Sequence, residues 1–214
     1  MEKCKKVKKS VALLLAGAIA LMLCSCGKDE KAFEISKTAY DNINLAYEST
    51  ETIGTDIYEA WRLGIFEKDE MSIDLLASEL SLSEDEITKG IALLLGDSEE
   101  EMDSVAANVI FSFFEDDMFS LCVEIVKNAY VANGTVEEIQ GHLDEAKEQM
   151  KELSEEYSDY EHYPNLKGYY TTTNSFFDFC QNPTGSFEQV KTTINDYKNE
   201  ARDYVNDLNY IFED

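Results

Sequence analysis

The chain of 214 residues carries 44 acidic against 18 basic side chains, a formal net charge of −26; so dense a polyanion is repelled by nucleic acid and anionic lipid headgroups, which excludes both as partners of its bare surface. Apolar residues make up 44% of the chain and aromatic residues 11%, which excludes a segment kept unfolded by its charge. Two prolines and ten glycines, with no period-two run of β-branched residues beyond the N-terminal segment, favour long uninterrupted helices over sheet.

The first element reads as a signal peptide. Lys3, Lys5, Lys6, Lys8 and Lys9 precede an apolar run over 11–23, which is shorter than the ~20 residues a membrane span requires. Lys28, Asp29, Glu30 and Lys31 follow almost at once and prevent its extension. At the end of the run, Leu23-Cys24-Ser25-Cys26 resembles a lipobox, the signature of bacterial lipoproteins, with Leu23 at −3, small Ser25 at −1 and Cys26 as the residue that carries the lipid. Cys24 follows bulky Leu23 and is the poorer acceptor. The resemblance covers the first 27 residues and implies processing, not activity. It implies removal of residues 1–25, a diacylglycerol thioether on Cys26 whose two acyl chains anchor firmly, and a place on the outer face of the bacterial cytoplasmic membrane. Residues 26–31 are then the lipidated cysteine and tether, and 32–214 a single helical domain. The mature chain has 13 basic and 43 acidic residues, a charge of −30, which attracts cations and basic peptides.

Beyond the tether the apolar spacing is helical throughout. Ala39, Ile43, Ala46, Ile53, Ile57 and Ala60 recur at threes and fours over 32–66, widened by Tyr40, Tyr47, Tyr58 and Trp61, with Gly54 marking a kink or a close helix contact. Two short helices follow, about 71–80 and 84–95, the second opened by a Ser83/Glu86 capping box. Their spacing matches a helix-turn-helix DNA reader, but Glu84-Asp85-Glu86 would face phosphates with three negative charges, so the pair reads as a helical corner. A long, mostly buried helix is expected over 99–132, capped by Asp97 or Ser98. Thr135 with Glu138 forms a second capping box and opens a one-stripe helix that Pro164 stops. A fifth helix over 165–181 and a last one opened by Ser186/Gln189, with the stripe Val190, Ile194, Tyr197, Ala201, Tyr204, Leu208 and Ile211, complete the chain. Short connections make neighbours antiparallel. The expected fold is all-α: an antiparallel bundle of about four long helices with a short helical corner.

Chemistry is sparse. His142 and His162 lack the paired Glu-x-x-His spacing of a di-iron bundle, and zinc-protease, calcium-loop, phosphate-loop and nucleophile-elbow motifs are missing. No cofactor is expected. Cys122 and Cys180, each among apolar neighbours, read as two separate buried thiols. Tyr160, Tyr163, Tyr169, Tyr170 and Tyr210 are left over from the stripes and form a candidate binding surface for an envelope protein, peptide or glycan. Glu115, Asp116 and Asp117 are the weak alternative, an acidic lining for a metal ion. The resulting expectation is a non-enzymatic binding or structural module of the cell envelope. Capture of cationic solutes or metal ions comes second and an envelope hydrolase third.

Overall fold

The structure, a computed structural model, describes residues 2–96, 107–114 and 117–212, with side chains from Glu30 onward. It is all-helical, with no strand among the described residues. Among the described residues seven α-helices follow one another: α1 (Glu2–Phe66), α2 (Ile73–Glu79), α3 (Glu84–Leu95), α4 (Met118–Ala132), α5 (Thr135–Glu156), α6 (Tyr163–Gln181) and α7 (Phe187–Phe212), with 3₁₀ turns at Lys68–Glu70 and Val109–Phe113.

α1 organises the rest because its apolar residues occupy more than one face. The six stripe positions from Ala39 to Ala60 are all buried, and Tyr40, Tyr47 and Trp61 widen the buried arc. Along its first half, α5 runs back past α1, with His142 and Gln149 bonded to Asn42 and Lys31 paired with Glu152. α6 runs forward, following Tyr160 beside Ser36, through Tyr169 at Asn44 to Phe176 at Gly54. α7 runs back again, from Lys198 at Thr55 to Asn209 at Tyr40 and Phe212 against Phe33. The second half of α1 meets α4, through Tyr130 at Asp56 and Phe119 stacked on Trp61 at 5.6 Å. One contiguous apolar core extends from Ala32 to Phe212.

Gly54 makes a close helix contact: a Cβ there would lie 2.6 Å from the Phe176 ring. Closer still are two glycines against α4, where a Cβ on Gly64 would meet the Phe119 backbone at 2.4 Å and one on Gly90 the Ile125 carbonyl at 2.5 Å. Cys122 and Cys180 are both free and buried, as expected. Burial pushes the Cys122 thiol up to about 12 and raises that of Cys180.

Four expectations are corrected. The single helix over 99–132 is broken, since Val109–Phe113 is a 3₁₀ turn, Phe114 has left helical geometry (φ −121°) and α4 begins at Met118. Continuing the helix through the acidic triplet would carry charges into the face that Met118 and Leu121 bury. Val109, Phe113 and Phe114 are accordingly exposed rather than packed. Thr135 is not a cap: Gly134, at φ 87°, occupies the N-cap position, and the Thr135 amide donates to Asn133 Oδ1 at 3.1 Å. The helix before Pro164 ends at Glu156, and Pro164 instead sits in the first turn of α6, where its missing N–H costs nothing. The cap positions Asp97 and Ser98 lie outside the described residues, whereas the Ser83/Glu86 and Ser186/Gln189 boxes form reciprocally.

Candidate functional site

Cys26 and the rest of the Leu23–Cys26 sequence lie outside the described side chains, and the nearest site with described chemistry is the end of the body where α1 enters the core. Ala32 and Ser36 are buried there. Ser36 Oγ donates to the Phe33 carbonyl at 2.8 Å, so its 2.7 Å contact with Tyr160 is one in which the phenol donates. Burial raises the Tyr160 pKa. The Tyr160 ring stands edge-on to His162 at 5.4 Å. These residues, with Ala32 and Tyr157, line an open cleft between the start of α1 and the α5–α6 connection, and Glu156, Asp159 and Glu161 edge it. On the α7 side, Phe212 packs on Phe33 and Tyr40 at 5.6 and 5.2 Å, its carbonyl accepting from Lys37 Nζ at 3.2 Å.

Three of the five tyrosines singled out from the sequence gather at this end: Tyr160 and Tyr163 half-buried, and Tyr210 84% exposed. Tyr170 sits further along α6, half-buried, where burial and then the Asp144 and Asp178 carboxylates raise its pKa. Tyr169 does not belong to any surface. It is fully buried between the rings of Tyr40 and Tyr47, and its hydroxyl donates to Asn44 Oδ1 at 3.1 Å. The phase of α6, set by Leu166, Thr173 and Phe176, turns position 169 inward, and the phenol's need for an acceptor is met inside the body. Of the acidic triplet, Glu115 and Asp116 lie outside the described residues, while Asp117 is exposed at the start of α4 with no side-chain capping bond. Among the described residues no group of three or more metal-ligating side chains converges.

Two features escaped the sequence reading. Asp56, 2% exposed, accepts from the Tyr130 hydroxyl at 2.6 Å, the Ser81 amide at 2.9 Å and the Ser81 hydroxyl at 3.3 Å. Burial raises its pKa against those three bonds. The carboxylate is sealed from solvent and ties the α2–α3 connection and α4 to α1, an arrangement suited to structure rather than chemistry. At the far end of α1, Ile65, Phe66, Leu93, Leu95, Val109, Phe113 and Phe114 are all exposed, Phe113 at 77%. Gly64 lies against Phe119 in the first turn of α4, while Gly90 lies against Ile125 and Ala129 further along it and Glu86 accepts from Asn133 past its end; α3 therefore runs antiparallel to α4, and its last residues point towards the end where α1 finishes. Asp69, Glu70 and Asp117 stand exposed around it. The adjacent pair Phe113-Phe114, running straight into three carboxylates, was the available sequence signal.

The chain matches no protein-family model, no curated protein and no solved structure. Among the residues with described side chains, no helix is long and apolar enough to cross a membrane.

Proposed function

We propose that this chain is a lipoprotein, tethered through Cys26 to the outer face of the bacterial cytoplasmic membrane, that works without catalysis as a binding module of the cell envelope. In this reading α1, α5, α6 and α7 are the antiparallel bundle and α2–α3 its helical corner. The observation that carries the binding role is the exposed apolar far end, since contiguous apolar surface rimmed by polar groups marks interaction sites. From Glu30 to Phe66, α1 covers 36 residue steps, ~54 Å at 1.5 Å each. The tether therefore fixes one end and the helix holds the apolar end out for a partner whose own fringe is basic, matching Asp69, Glu70 and Asp117.

Metabolic labelling tests the anchor. The wild-type chain and Cys24→Ser take up a clickable fatty acid, and Cys26→Ala remains an unlabelled, uncleaved precursor; label surviving in Cys26→Ala but lost in Cys24→Ser would sink the assignment. A photo-crosslinker placed at Phe113 in intact cells gives discrete adducts that the same probe at exposed Glu145 does not, and equal patterns at both positions would remove the binding role.

A further inference from the structure

We propose that the anchor end is itself a membrane-contact surface, on which Phe33, Tyr163 and Tyr210 settle at headgroup level in the bilayer that holds Cys26. The proposal rests on the lipoprotein reading and adds an orientation to it. Its first ground is reach. Cys26 is six residues from Ala32, the first buried residue of the body, a distance of ~9 Å if helical and at most ~20 Å if extended. The body therefore cannot leave the surface by more than the thickness of a headgroup layer and its first hydration shells.

The second ground is the chemistry of that end. Tyr210, 84% exposed, lies two residues before Phe212, whose ring touches the partly exposed Phe33. Tyr160 lines the cleft beside Ala32, and Tyr163, whose amide donates to the Tyr160 carbonyl at 3.2 Å, follows it half-buried at the start of α6. Aromatic side chains with one apolar and one polar end concentrate at membrane interfaces, where the ring is dehydrated while the hydroxyl stays wet. Tyr163 and Tyr210 are two such groups at the tethered end, with the exposed ring of Phe33 adding apolar area, and the apolar far end, ~54 Å up α1, is out of reach of the same bilayer. The third ground is charge. Glu34, Glu156, Asp159 and Glu161 stand exposed at the same end, so the surface that fits is zwitterionic, and anionic headgroups oppose docking.

The chain holds one tryptophan, Trp61, 8% exposed and ~46 Å along α1 from Glu30, which provides an internal control. The full, lipidated protein is incorporated into phosphatidylcholine vesicles brominated on the upper acyl carbons, and emission is compared with unbrominated vesicles. Wild-type emission stays unchanged, whereas Tyr210→Trp adds a signal of which roughly a third or more is quenched, as expected for an interfacial ring. Tyr163→Trp repeats the reading should the first variant fail to fold. Replacing a third of the lipid with phosphatidylglycerol at low salt reduces the quenching at least about twofold. Protein that does not stay with the vesicles overturns the lipoprotein reading and this proposal together. Vesicle-bound protein with an unquenched Tyr210→Trp signal overturns the docking alone and leaves this end to a protein or glycan. Equal quenching of Trp61 also overturns it, because the molecule would then lie flat.

Discussion

Asp56 carries a free-energy cost that its three hydrogen-bond donors only partly offset. Burial raises its folded pKa above the ordinary 3.8, so the fold binds the proton more tightly than the unfolded chain does. A carboxylic acid shifted upward contributes most at low pH, and its contribution falls as pH rises from about 3.8 to the raised folded value, then stays constant. Asp56→Asn keeps an acceptor for the Ser81 amide and removes the charge. In urea titrations the wild type should therefore gain on Asp56→Asn as pH is lowered from 7 towards 4; a difference independent of pH would mean that burial is not the governing effect. Thr173 presents the opposite situation. It is fully buried and its Oγ1 has no hydrogen-bond partner among the described residues. Thr173→Val keeps the shape and removes the unsatisfied hydroxyl, and should raise stability by about 1 kcal/mol. A loss of that size would reveal a partner for the hydroxyl.

Between helices, glycine sets the spacing. At Gly90 an added Cβ would lie 2.5 Å from the Ile125 carbonyl oxygen and 2.7 Å from the Ala129 amide nitrogen. These are backbone atoms of α4, and relief requires moving the whole helix. Alanine is favoured over glycine by about 1 kcal/mol in a helix, but overpacking of this kind costs about 1–3 kcal/mol or more, so Gly90→Ala should lower the melting temperature. Gly141→Ala, whose Cβ meets nothing within 4 Å, should raise it by the propensity alone. Calorimetry on both variants separates the two effects, and parallel shifts would reject the close approach. The sequence made one half of this architecture legible. The stripes of α1, α5 and α7 and the capping boxes at Ser83 and Ser186 are patterns of neighbours within one helix, and they appear where the spacing put them. What stayed hidden depends on partners distant in sequence. A glycine at helical spacing reads as a weakness until α4 is seen pressed against it, and Tyr169 reads as surplus until Asn44 offers its acceptor. The break before Met118 was concealed by an apolar run whose members face different ways. Of the candidate site, its tyrosines were visible by type, but their gathering around Ala32 required the return of α6 and α7.

Taken whole, residues 26–214 carry 43 acidic against 13 basic residues. Its cross-helix ion pairs, such as Lys31–Glu152 and Lys198–Glu51, are surface contacts of small individual worth. Repulsion summed over the molecule then outweighs them, and screening should help the fold. Raising NaCl from about 20 to about 500 mM should lift the melting temperature by a few degrees; a fall would show that the ion pairs dominate. The two buried thiols have a consequence of another kind. Cys122 sits in α4 and Cys180 in α6, where its Sγ lies 3.9 Å from the Thr50 carbonyl of α1, both out of contact with solvent. A thiol-specific reagent can reach either one only when the surrounding helices part, so its rate of reaction at each position measures how often that part of the body opens. In the proposed lipoprotein these two thiols are the chain's clocks, and the faster one identifies the helix, α4 or α6, that loosens first.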